Sequence, residues 1–289
     1  MPTLVPDVVR SAYLRLTSTL APVPLAILAS LIAVTCIAWA LTLYQATTMT
    51  APVDAVMGGG MADDSMEGMA MEAMSAAGWS FAGLGIFLAF WTVMMAAMML
   101  PAAMPMIVIF ASAQARRGRQ VAVPTWIFVA GYILVWSAAG LLVYVVVHAA
   151  SELASHPASL DRDIWRPLAL AVTLALAGLY QFAPLKRICL RHCRSPLGFV
   201  AQYWRDGRAG AFNMGARHGL YCLGCCWALF AVLVAAGMMS IAWMLLLTLV
   251  VFAEKVLPHG ERTSVAVGLG LITLGLVVTG TALQLPGHA

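Results

Sequence analysis

Seven apolar runs, each near the roughly 20 residues a helix needs to cross a bilayer, constrain this chain more than any other feature. They are Pro24–Leu43, Phe81–Phe110, Val121–His148, Trp165–Leu185, His218–Gly237, Ser240–Val256 and Thr263–Leu283. Backbone polar groups in lipid must pair within their own segment unless a barrel closes, and these runs lack the strict alternation of barrel strands. The expected fold is all-α: a polytopic membrane helix bundle with about seven transmembrane helices. Composition agrees, since 62% of the 289 residues are hydrophobic and 10% charged, against about 45–50% and 25% in soluble domains. That balance excludes a soluble enzyme, a disordered tail and a nucleic-acid binder. Pro101 and Pro105 each remove a backbone donor, so the second helix is expected to kink or end near them.

Basic residues give an expected orientation. With seven crossings, Arg10, Arg15, Arg116, Arg117, Arg119, Lys186, Arg187, Arg191, Arg194, Arg205, Arg208, Arg217, Lys255 and Arg262 fall on one side, and only Arg162 and Arg166 on the other. This places the N-terminus inside and the C-terminus outside, in a multi-pass protein of the bacterial inner (plasma) membrane. Residues 1–23 form a cytoplasmic segment and 24–283 one transmembrane domain, with an outer loop at 44–80, an inner loop at 186–217 and an outer tail at 284–289. No small-residue cleavage pattern closely follows the first run, so it reads as a retained helix.

The outer loop carries Met49, Met57, Met61, Met66, Met69, Met71 and Met74 among Gly, Ala, Ser and acidic residues, with no Lys, Arg or His. Such neighbours build no core. Thioether sulfur is a soft, neutral donor suited to Cu(I), and the carboxylates would gather cations. A plain low-complexity linker is the alternative. In the second run, Met94 and Met98 stand at i, i+4, as do Met95 and Met99, which places each pair on one helix face. That pattern resembles the Met-x-x-x-Met path of eukaryotic copper uptake channels in this short motif only. Methionine as flexible packing filler explains it as well.

The fifth run opens with His218, Cys222, Cys225 and Cys226, spaced within an arc of about 100° over two turns. Cys189, His192 and Cys193 share a face of the preceding segment. Thiolates and imidazoles suit Cu(I), zinc or an iron–sulfur cluster. A redox pair at Cys222 and Cys225 and lipidation of Cys189 or Cys193 compete with metal binding, and Cys36 reads as a small buried hydrophobe. Glu254 and Lys255, ionisable at a membrane boundary, are functional candidates, with a structural ion pair as the alternative. The segment Ser195–Gly219 reads as an interfacial helix followed by a glycine-rich turn.

WTVMMAAMMLPAAMP, AGLYQFAPLKRICLRHCRSP, GLYCLGCCWALFAVLVAAGMM and VFAEK resemble the bacterial family of metal-binding integral membrane proteins called domain of unknown function 2182. The resemblance runs from about Trp79 to about Arg262. It implies a polytopic membrane protein with metal binding and no settled activity. By motif position it carries Met94, Met95, Met98, Met99, Cys189, Cys193, Cys222, Cys225, Cys226, Glu254 and Lys255. The methionine-rich loop lies outside that motif set.

The expectation is a Cu(I)-binding membrane protein, more a metal-handling protein than an enzyme. Copper is captured by Met61, Met66, Met69, Met71 and Met74, passed along Met94, Met95, Met98 and Met99, and received by Cys189, His192, Cys193, His218, Cys222, Cys225 and Cys226, where zinc is the other candidate. Its partners are the lipid bilayer, the metal ion, and a copper chaperone or metalloenzyme. Two rivals stand beside it. One is a thiol–disulfide oxidoreductase using Cys222/Cys225 and Cys189/Cys193; the other is a non-catalytic accessory subunit of a larger membrane enzyme.

Overall fold

The computed structural model describes residues 22–57, 80–117, 121–155, 162–237 and 240–284, and within them the chain is helical almost throughout. The elements are α1 (Pro22–Met57), α2 (Phe81–Arg116), α3 (Ala122–Ser155), α4 (Arg162–Tyr180), α5 (Pro184–Arg194), α6 (Pro196–Tyr203), α7 (Gly207–Ala236), α8 (Ile241–Val256) and α9 (Gly260–Gln284). Met61, Met66, Met69, Met71 and Met74 lie outside the described residues.

Five helices among the described residues are long and apolar enough to cross a membrane: α1, α2, α3, α7 and α9. The bent pair α4–α5 raises the count to six if it is one span. This corrects the expected seven. The sixth run forms α8, whose 16 residues reach about 24 Å at 1.5 Å per residue, short of a full hydrocarbon core. The fourth run breaks where Pro184 cannot continue a helix. Ala183, the residue before it, is extended (ψ 140°), as steric conflict with a following proline ring requires. The two halves then diverge by 65°. The lower count also removes the parity argument that fixed the two termini on opposite sides.

α2 runs unbroken through Pro101 and Pro105, so the expectation that it ends there is not met. Neighbouring helices supply the environment that tolerates proline in membrane helices. Ser80 caps its start by accepting a hydrogen bond from the Gly83 amide at 3.0 Å. The expected glycine-rich turn is instead the opening of α7, and only residues 204–206 separate it from α6.

α3 lies along α7, α4 along α9, and α1 on α2, while α8 packs against α2, α5, α7 and α9. The α3–α7 approach depends on missing side chains. A Cβ on Gly215 would overlap the Phe128 carbonyl, and one on Gly131 the Phe212 carbonyl. Between α2 and α3, the Trp91 indole donates to the Trp136 carbonyl at 2.8 Å, and Thr92 and Ser137 hydroxyls pair at 2.9 Å. In lipid, where helices gain little from hydrophobicity, close packing and such bonds hold a bundle together. The core between α2, α3 and α7 is filled by Phe110, Phe128, Tyr132, Trp136 and four fully buried methionines, Met95, Met98, Met99 and Met106.

Candidate functional site: a buried lysine–thiol network

The bundle interior holds charge at the junction of α5, α7 and α8. Lys186 of α5 and Lys255 of α8 are 1% and 8% exposed, and Glu254 is 1% exposed. Lys186 Nζ reaches both carboxylate oxygens of Glu254, at 3.0 and 2.8 Å. The neighbouring Lys255 points elsewhere, because consecutive helix residues are about 100° apart. Its Nζ donates to Cys222 Sγ at 2.8 Å, and the Tyr132 hydroxyl lies 3.0 Å from the same sulfur. Arg194 closes the arrangement by donating to the Glu254 and Pro258 carbonyls, both at 2.8 Å.

Charge counting assigns a role to Cys222. A buried cation needs a compensating charge. Glu254 compensates Lys186, and the group in hydrogen-bonding reach of Lys255 is the Cys222 sulfur. As a thiolate, Cys222 would complete the balance and accept the hydrogen bond that the ammonium offers.

The other expected ligands have local partners of their own. Cys225 and Cys226 thiols both donate to the Cys222 carbonyl, at 3.0 and 2.8 Å, the back-bonding that a helix offers its own short polar side chains. Cys193 lies beside Cys225, and Cys189 packs against Gly224, where an added Cβ would stand 2.7 Å from its sulfur. His192 Nδ1 lies 2.9 Å from the Ile188 carbonyl, and its ring stacks on Tyr221 with centroids 4.2 Å apart. His218 sits among Tyr132, Phe128 and Phe199 rings. Its buried Nδ1 has no hydrogen-bond partner among the described residues. All six cysteines are free, with Cys36 exposed on α1 rather than buried as expected.

Among the described residues, no group of three or more His, Cys, Asp or Glu is arranged to hold a metal ion. This overturns the expected route in which copper, caught outside and relayed by methionines, is received by an inner Cys/His cluster. Shared helix faces do bring the residues near one another, yet Cys225, Cys226 and His192 bond carbonyls of their own helices and Cys222 meets Lys255. Met94, Met95, Met98 and Met99 are all buried and pack within the core.

Sequence reasoning counted Lys186 only as an orienting charge. Its place three residues before Cys189, on the same helix face, was the available signal. Tyr132, one aromatic in a long apolar run, gave none. Glu254 and Lys255 stand in the sequence as ionisable candidates at a membrane boundary, with a structural ion pair as the alternative. The structure supplies Lys186 of the inner loop to Glu254.

Residues 88–278 match the PpoB2 family, described as a copper chaperone. They contain the whole network and every described candidate ligand. Neither a curated protein nor a solved structure matches the chain. With well over half of its length matched, this polytopic membrane chain belongs to the PpoB2 copper-chaperone family.

Proposed function

We propose that the chain delivers copper to a recipient protein at the bacterial plasma membrane, with its basic end toward the cytoplasm. The metal is taken from the family description; Cu(I) is the form that its soft donors favour. The motifs resembling domain of unknown function 2182 fall inside the matched residues, which supports reading both resemblances as one. In this reading residues 24–283 act as a single membrane domain.

The observation that carries the chemistry is the Lys255–Cys222 pair. A thiolate, not a thiol, meets a soft metal, and Lys255 provides the charge that a buried thiolate requires. One thiolate does not make a cage. Its role is a passing contact during ligand exchange, with the remaining donors supplied by the protein that gives or takes the ion. Cys222 is 1% exposed, so contact occurs as covering helices yield during that encounter, not in the resting protein.

The test measures copper per recipient enzyme, by mass spectrometry, in cells carrying the wild-type chain, no chain, C222S or K255M. Loss of recipient copper without the chain supports delivery, and a comparable loss in both variants at normal chain abundance supports the thiolate contact. Full loading without the chain refutes delivery. Full loading with both variants leaves delivery standing and refutes the role of Cys222.

A further inference from the structure

α5 is too short to cross a bilayer, and its three stripes face three environments. Lys186, Cys189 and Leu190 are buried against the bundle. Leu185 and Ile188, one turn apart, are 56% and 53% exposed, and Leu197 at the start of α6 is 65% exposed. Arg187 and Arg191 lie beside them and are also exposed. α5 is bent 65° from α4, so with α4 along the membrane normal it lies nearer the membrane plane. Exposed aliphatic side chains bordered by arginines on such a helix match the boundary between acyl chains and headgroups.

We propose that α5 and the start of α6 form a binding face for anionic lipid headgroups. The arginines are available to a phosphate. Arg191 donates to Glu261 at 3.2 Å, but its side chain is 70% exposed, where a surface ion pair is weak. Arg187 Nη2 donates to the Phe182 carbonyl at 3.1 Å, which uses one guanidinium donor without neutralising the charge. On the described segments at this end, Asp206 and Glu261 are the exposed carboxylates, against exposed arginines at 116, 117, 187, 191, 205, 208, 217 and 262. An acidic soluble partner would meet the charge but not Leu185, Ile188 and Leu197, whereas a lipid meets both. Because Lys186 leaves the same helix on its opposite side, a lipid seated here contacts the helix that carries the Lys186–Glu254 pair.

The full-length protein, exchanged into nanodiscs of equal phosphatidylglycerol and phosphatidylcholine and then released, would be weighed by native mass spectrometry with its retained lipids. The expected result is a preference for phosphatidylglycerol of roughly tenfold that collapses toward unity in R187Q/R191Q and persists in R166Q at the opposite end of α4. If R187Q/R191Q fails to fold, the wild-type protein still decides: the preference must fall on raising salt from 0.05 to about 0.5 M, as screening demands. Equal retention of both lipids overturns the proposal, as does a preference insensitive to both salt and the substitutions. Displacement of the lipid by millimolar inorganic phosphate also overturns it, by showing a soluble-anion site.

Discussion

Replacing Glu254 by Leu leaves Lys186 buried with its charge uncompensated, and the structure sets the size of the penalty. The carboxylate takes two hydrogen bonds from a lysine 1% exposed. Breaking such a pair from one side costs about 3–5 kcal/mol, whereas replacing both members by apolar side chains is close to neutral or stabilising. Thermal unfolding in detergent, followed by tryptophan fluorescence, should therefore show E254L lowered by roughly 6–20 °C at about 2–4 °C per kcal/mol. K186M should be lowered as well, because Glu254 is then the orphan. The double variant K186M/E254L should recover most of the loss, giving a coupling energy above about 2 kcal/mol. Single variants costing under about 1 kcal/mol, or a double variant equal to the sum of the singles, would refute the charge-compensation argument for the interior.

The α3–α7 contact predicts that G215A, which overlaps the Phe128 carbonyl, destabilises by about 1–3 kcal/mol. G280A, with nothing within 4 Å, should instead be neutral or gain up to about 1 kcal/mol of helix propensity; equal effects in the same unfolding assay would contradict the described packing. Buried methionines acting as packing should tolerate M95L and M98L at under about 1.5 kcal/mol each with recipient copper unchanged. A fall in recipient copper at normal stability would show that the sulfurs themselves are used. In intact membranes, a thiol-alkylating probe should modify half-buried Cys193 before Cys222, Cys225 or Cys226, all 1% exposed. Peptide mass spectrometry that finds Cys222 first would place the network at the surface.

Legibility in the sequence followed the physics of each feature. Apolar length announced α1, α2, α3, α7 and α9 directly, since a helix satisfies its own backbone in lipid. The fourth run reads straight through QFAPL because four of those five residues are apolar and none is charged, although Pro184 holds the stop signal; composition outweighs backbone geometry there. The Cys and His spacings did place residues on shared faces. Spacing fixes where a Cβ points but not where a sulfur turns, and Cys225 and Cys226 turned to a carbonyl of their own helix. Lys186 was misjudged for a related reason. A lysine near a helix end is normally solvated, and only the long-range partner Glu254 shows that this one is inside.

The buried pairs join residues made at very different times. Lys186 precedes Glu254 by 68 residues and Cys222 precedes Lys255 by 33. During biosynthesis, therefore, α5 and α7 emerge with their polar groups unmatched, and only the arrival of α8 matches them. α8 is then the piece that completes the charged centre. A ribosome stalled before Glu254 would leave a bundle whose centre is still open.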